Sequence, residues 1–112
     1  MKVRQGEIWY AQLNPVKGSE QGGRRPVVII SGNTMNETLP VVIVCSMSTK
    51  IKEYPGCVIL RANKGTGLKQ DSEVVTFQVR TLAHARLTKK VGVVTSEEFR
   101  AILQGLQEVL VL

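Results

Sequence analysis

Two adjacent arginines, Arg24 and Arg25, stand at the mouth of an apolar run, Val27-Val28-Ile29-Ile30, behind the polar loop Gly18-Ser19-Glu20-Gln21-Gly22-Gly23. Glycines at this density let a backbone turn sharply and approach a ligand closely, at an entropic cost. Pro26 fixes φ, lacks a donor and biases Arg25 toward extended backbone, so a strand is expected to begin here. An arginine held at a rigid strand end offers a fork of donors matched to phosphate oxygens. The same loop reads equally as a solvated hairpin tip. A second set follows the apolar run 40–47, which emerges into Ser48-Thr49-Lys50-Ile51-Lys52. Hydroxyls donate to phosphate oxygens, and lysines add sequence-independent attraction that salt weakens. Alone, that segment reads more plainly as a surface turn. Consecutive strands usually pair, so the arginine end of one strand and the hydroxyl end of the next are expected to converge.

The elements that must position these groups are short and β-like over most of the chain. Residues 7–13 are aromatic-rich and end at Asn14-Pro15, a turn signal. Strands are expected over 26–31, 40–47, 57–60 and 72–77, with a break at 32–36. The 57–60 strand is expected to pair with 40–47 across a hairpin containing Pro55-Gly56. Residues 82–87 suit one helical turn and 89–94 a last strand. The ending differs in kind. Phe99, Ile102, Leu103, Leu106, Val109 and Leu110 recur at helical spacing and read as one core-facing stripe. Thr95-Ser96-Glu97-Glu98 matches a capping box. The pattern predicts a mainly β fold, a small barrel closed on one side by a C-terminal amphipathic α-helix.

Length and charge bound the partners. A chain of 112 residues is expected to be one domain, residues 1–112, with one modest core. The net charge is +6, and residues 95–112 are net acidic, so the positive surface belongs to the body of the domain. A basic domain of this size favours a polyanion, nucleic acid above all. Cys45 and Cys57 lie in apolar runs and read as buried free thiols. One His with two scattered Cys does not make a structural zinc site by any usual spacing. No signal core and no run of membrane-spanning length is present, so a cytosolic protein without a membrane partner is expected.

Taken in order, Gly6-Glu7-Ile8-Trp9, Leu13-Asn14-Pro15, Gly18-Ser19-Glu20-Gln21-Gly22, Arg24-Arg25-Pro26, Ser48-Thr49-Lys50-Ile51-Lys52, Tyr54-Pro55 and Gln78-Val79-Arg80-Thr81 resemble the MazF/PemK family of toxin ribonucleases. The resemblance covers essentially the whole chain. It implies an SH3-like small β-barrel, a homodimer, and sequence-specific cleavage of single-stranded RNA, with no metal or other cofactor. The 2′-OH would attack its own phosphate, leaving a cyclic phosphate and a 5′-OH end. It implies catalytic roles for Arg25, at the family's arginine, and for Ser48, where the family has threonine. Serine keeps the hydroxyl but loses the methyl that stiffens χ1. Some relatives carry an acid just before the Gln-x-Arg-Thr segment, where this chain has Phe77, so a carboxylate base at that position is ruled out. The implied partner is an antitoxin whose acidic disordered segment covers the basic surface.

Arg25 and Ser48 suit the stabilisation of charge on a phosphorane-like transition state. Proton transfer is harder to assign, because arginine normally stays protonated. His84 titrates near neutrality when unperturbed, but it lies away from both motif segments and reads as a solvated helical side chain. RNA contacts are assigned to Glu20, Gln21, Arg24, Thr49, Lys50, Lys52 and Gln78, with Lys17 also along the backbone path. Arg24 should face away from Arg25 and make at most a distant phosphate contact. One of Trp9 and Tyr10 should be core; Tyr10 or Tyr54 can stack a base or simply pack. Arg80 reads equally as structural. Two other functions stay open: an RNA-binding barrel without catalysis, and a gyrase-directed toxin of CcdB type. The Val109-Leu110-Val111-Leu112 ending lacks the Trp-Gly-Ile that the latter requires.

Overall fold

The computed structural model describes residues 2–14, 18 and 22–111. Six strands form one antiparallel sheet: β1 (Glu7–Gln12), β2 (Arg24–Ile29), β3 (Val41–Ser48), β4 (Val58–Leu60), β5 (Ser72–Ala83) and β6 (Leu87–Val93). Their spatial order is β4-β5-β3-β2-β1-β6. The sheet curls into a half-barrel, and the expected mainly β fold with a C-terminal helix is what the chain adopts.

Both faces of the central strands are buried, which accounts for their near-continuous apolar runs. Val27, Ile29, Val42 and Val44 join Trp9 and Leu13 in one core cluster. Val28, Cys45 and Met47 point the other way, into a second cluster with Leu60, Ile102 and Leu106. The helix α2 (Ser96–Leu110) covers this second face. Thr95 caps it: its side chain accepts from the Glu98 amide at 3.1 Å, and Glu98 accepts from the Thr95 amide at 2.7 Å. A short helix, α1 (Asn33–Thr38), fills the segment expected only to break the pattern.

The approach of α2 to the sheet depends on two glycines. A Cβ on Gly105 would sit 2.0 Å from the Gly56 carbonyl oxygen, and one on Gly56 would meet the Val109 side chain at 2.7 Å. Gly56 also has φ of +80°, and its carbonyl accepts from the Thr76 hydroxyl at 2.8 Å. Turn, helix and β5 are thereby locked together beside the site described below.

Four expectations are corrected. The 58–60 strand pairs with β5, and β5 separates it from β3, because β5 is long enough to pair with both. The strand expected over 72–77 continues to Ala83, carrying Gln78 to Thr81 within the sheet. The helix stripe is only partly core: Ile102 and Leu106 are buried, whereas Leu103 and Leu110 are exposed, since neighbours on a helix lie about 100° apart. The single helical turn expected over 82–87 is confined to a 3₁₀ turn at His84–Arg86, with Leu82 and Ala83 in β5 and Leu87 in β6.

Candidate functional site

Three neighbouring strands bring the predicted chemistry to one end of the sheet. Val27 of β2 lies across from Ser46 of β3, and the same register carried two residues further sets Arg25 across from Ser48. Pro26, lacking a donor, sits where this ladder runs out. On the other side of β3, Ser48 pairs directly with Glu73 of β5. Opposed residues of an antiparallel pair share a face, with Cβ atoms about 4.5–5.5 Å apart. Arg25, Ser48 and Glu73 therefore form one cross-strand row of cation, hydroxyl and carboxylate.

The row opens into a groove of about 350 Å³. Lys50, Lys52 and Tyr54 line it from the segment after β3, and Val75, Phe77 and Gln78 from β5. An irregularity builds the β5 wall. Between paired positions β5 advances from Val74 to Val79 while β3 advances only from Met47 to Cys45. The extra β5 residues arch out of the ladder, as bulges do where a side chain must be re-aimed.

Each polar group is held by its local backbone. The Arg25 Nε–H donates to the Gly22 carbonyl at 2.9 Å, which sets the plane of the guanidinium. The loop base behind it is closed by the Gly23 amide on Asn14 Oδ1 at 3.0 Å and the Leu13 amide on the Gly23 carbonyl at 2.9 Å. Arg80 and Arg86 donate to carbonyls of Leu13, Gln12 and Asn14, tying the near end of that loop to β5 and to the 3₁₀ turn. Ser48 Oγ accepts from the Lys50 amide at 3.1 Å, a turn that leaves the hydroxyl proton for another acceptor. Tyr54 and Phe77 meet edge to face with centroids 5.5 Å apart, each about half exposed.

Glu73 was not foreseen. It is 1% exposed; Oε1 accepts from the Lys52 amide at 2.9 Å, and Oε2 is buried with no hydrogen-bond partner. The available signal was one acid inside an otherwise apolar strand, Ser72-Glu73-Val74-Val75, where a carboxylate must be buried on one face.

Arg25, Ser48, Lys50, Lys52 and Gln78 are brought together in this groove. Arg24 is not among its walls: its guanidinium carbon lies 4.2 Å above the Tyr10 ring centroid, on an exposed side chain. Thr49 is exposed and lines a different hollow with Tyr10 and Pro26. Trp9 is the core member of its pair, at 7% exposure. Lys17, Glu20 and Gln21 lie outside the described residues. His84 is half-buried rather than solvated, with Nε2 unpartnered, and lines a separate hollow of about 430 Å³ with Lys2, Asn36 and Glu37. That hollow is comparable in size to the groove but contains neither the arginine nor the hydroxyl.

Cys45 and Cys57 are free thiols; burial pushes the Cys45 thiol up to about 12, while Cys57 is only half-buried. Among the described residues no three His, Cys, Asp or Glu side chains gather as a metal site, and no helix is long and apolar enough to cross a membrane.

Residues 4–110 match the family described as PemK-like, MazF-like toxin of type II toxin–antitoxin system. The chain is 36% identical to Endoribonuclease EndoA of Bacillus subtilis (strain 168), over 96% of this chain and 93% of that one. Its fold is similar to the crystal structure of MazF from Deinococcus radiodurans, with a TM-score of 0.86 at 23% identity, covering 98% and 97% of the two chains. It is also similar in fold to an endoribonuclease from Mycobacterial species solved in complex with its cognate antitoxin, with a TM-score of 0.79 at 20% identity, covering 96% and 94%.

Proposed function

The chain belongs to the PemK-like, MazF-like toxins of type II toxin–antitoxin systems and is a toxin endoribonuclease; from that premise we propose that its groove cuts single-stranded RNA at a short sequence, without a metal. The 2′-oxygen bonds to the adjacent phosphorus as the P–O5′ bond breaks, giving a 2′,3′-cyclic phosphate and a 5′-OH end. The observation that carries this reading is the meeting of Arg25 and Ser48, from two separate segments, in one groove with Lys50 and Lys52. Arg25 and Ser48 donate hydrogen bonds where charge develops on the phosphorane. The lysines follow the phosphate backbone, and Arg24, Thr49, Glu20 and Gln21 contact RNA flanking the groove. Gln78 reads a base edge, and the Tyr54–Phe77 pair offers an aromatic surface for an unstacked base.

An antitoxin is the partner of this chain. In this reading its acidic disordered segment lies along the basic groove and orders on binding. Residues 1–112 act as one domain, in a homodimer in the cytoplasm.

The test uses purified protein, a long unstructured RNA and EDTA, with sequencing of 5′-OH ends and an Arg25→Ala control. Cuts at one short motif, absent with the variant, are expected. RNA bound but left intact would replace the enzyme by a binding barrel.

A further inference from the structure

The 2′-OH route needs a group to take the 2′ proton; among the described residues lining the groove, Arg25, Lys50 and Lys52 are cations suited to charge rather than to proton removal, and Ser48 is a hydroxyl donor. Just before the Gln-x-Arg-Thr segment stands Phe77, which has no carboxylate to offer. Glu73 stands instead at the other end of that β5 wall, in the row with Arg25 and Ser48 and directly across from Ser48. One oxygen is committed to the Lys52 amide; the other is buried and unpartnered. A buried acceptor without a donor is costly, and its lone pairs call for one. Phosphate has no donor to give. The ribose 2′-OH, on the nucleotide whose phosphate Arg25 and Ser48 hold, has one.

We propose that Glu73 is the general base of the cleavage, with Oε2 taking the 2′-OH proton. The proposal rests on the endoribonuclease reading above. Oε2 is buried in the free protein, so the proposed step includes a rotation of the Glu73 side chain on RNA docking that turns Oε2 into the groove its residue lines. The proton moves from the 2′-oxygen to Oε2, the 2′-oxygen bonds to phosphorus, and the P–O5′ bond breaks. Water protonates the leaving 5′-oxygen, and Glu73 then returns its proton to the resulting hydroxide.

Glu73→Gln tests this, because the amide oxygen still accepts from the Lys52 amide while the base is gone. Cleavage of a defined oligonucleotide is followed from about pH 4 to 8, spanning the carboxylate range, with circular dichroism as the folding control. Among the described residues, the charged and titratable groups that line the groove with Glu73 are Arg25 from β2 and Lys50, Lys52 and Tyr54 after β3; none of these supplies a carboxylate limb. Expected is a loss of about 10²–10⁴-fold in kcat, KM within threefold, and absence of the acid limb that the proposal expects of the wild type. A variant that folds and cleaves within threefold of wild type with the same profile makes Glu73 a tether for the turn and overturns the proposal. A substrate with a sulfur leaving group at the 5′ position adds a second readout. Its cleavage stays slow in Glu73→Gln if the base is lost, and recovery of the rate overturns the assignment. Should Glu73→Gln not fold, the wild-type profile decides: an acid limb on both substrates upholds a base, and a flat one removes it. A wild type that cuts no RNA is a failure of the endoribonuclease reading instead.

Discussion

At the scale of single residues, the proposed function divides the groove's work among side chains that differ in what they can donate. Arg25 is the one arginine of the adjacent pair held in the groove, by its Nε–H on the Gly22 carbonyl. Losing one preorganised donor to a developing oxyanion costs about 2.7–4 kcal/mol. Arg25→Ala is therefore expected to lower kcat by about 10²–10³-fold, with oligonucleotide affinity changed far less, as single-turnover rates and filter binding will report. Ser48→Thr keeps the hydroxyl at the position where the family has threonine, and its rate should stay within a few-fold of wild type. Phe77→Ala should act differently, weakening RNA binding by roughly five- to a hundredfold, the range of one lost base stack, and broadening the cleaved motif in end-sequencing. The meeting of Arg25 and Ser48 in one groove was legible, because an arginine before a proline and hydroxyls before lysines are local patterns at the ends of consecutive strands. The place of Glu73 beside them was not, because it comes from pairing with Ser48, which lies on another strand and 25 positions away in sequence.

Among the elements, the contact between α2 and the turn before β4 is the most exacting. Backbone meets backbone at Gly105 and Gly56, with 2.0 Å between a built Cβ and a carbonyl oxygen, so no side-chain rotation relieves a methyl there. Gly105→Ala gains the helix propensity of alanine, up to about 1 kcal/mol, but must push α2 from the sheet. Overpacking of this kind costs about 1–3 kcal/mol, and the backbone character of the clash puts this case at the upper end. A net loss of stability is expected in urea melts; a gain would show that α2 slides freely. Helix α2 itself was legible in its extent and cap, from its apolar period and the Thr95–Glu98 box, though not in which of its apolar residues are buried. The pairing of β4 was not. Adjacent strands and a Pro-Gly turn suggest a hairpin, but the segment 49–57 instead passes over the end of β5, which the sheet inserts between them. Helix α1, Asn-Thr-Met-Asn-Glu-Thr, carries no apolar stripe; the fold around it decides its state, through Asn36 bonding back to Ser31.

For the whole molecule, the same basicity that draws RNA also supports the fold at a distance from the groove. Glu7 opens β1 and Lys90 lies in β6, so their 2.8 Å ion pair spans the two strands at the sheet edge opposite β4. Burial alone would raise the Glu7 carboxyl, but the Lys90 ammonium, the Arg4 amide and the Trp9 indole N–H together hold it below its ordinary value. A carboxyl whose folded value is depressed stabilises the native state above its unfolded value, near 4.5, and this contribution is lost as pH falls through the lower, folded value. Wild type and Glu7→Gln should therefore differ most in urea midpoint near pH 7, and the gap should close as pH drops below about 4, where the unfolded carboxyl protonates. Half-exposure of Lys90 screens the pair, so added salt should narrow the gap only partly, leaving the hydrogen bonds from Arg4 and Trp9. A gap that persists unchanged at pH 3 would mean that Glu7 acts through packing around Trp9 and not through its charge.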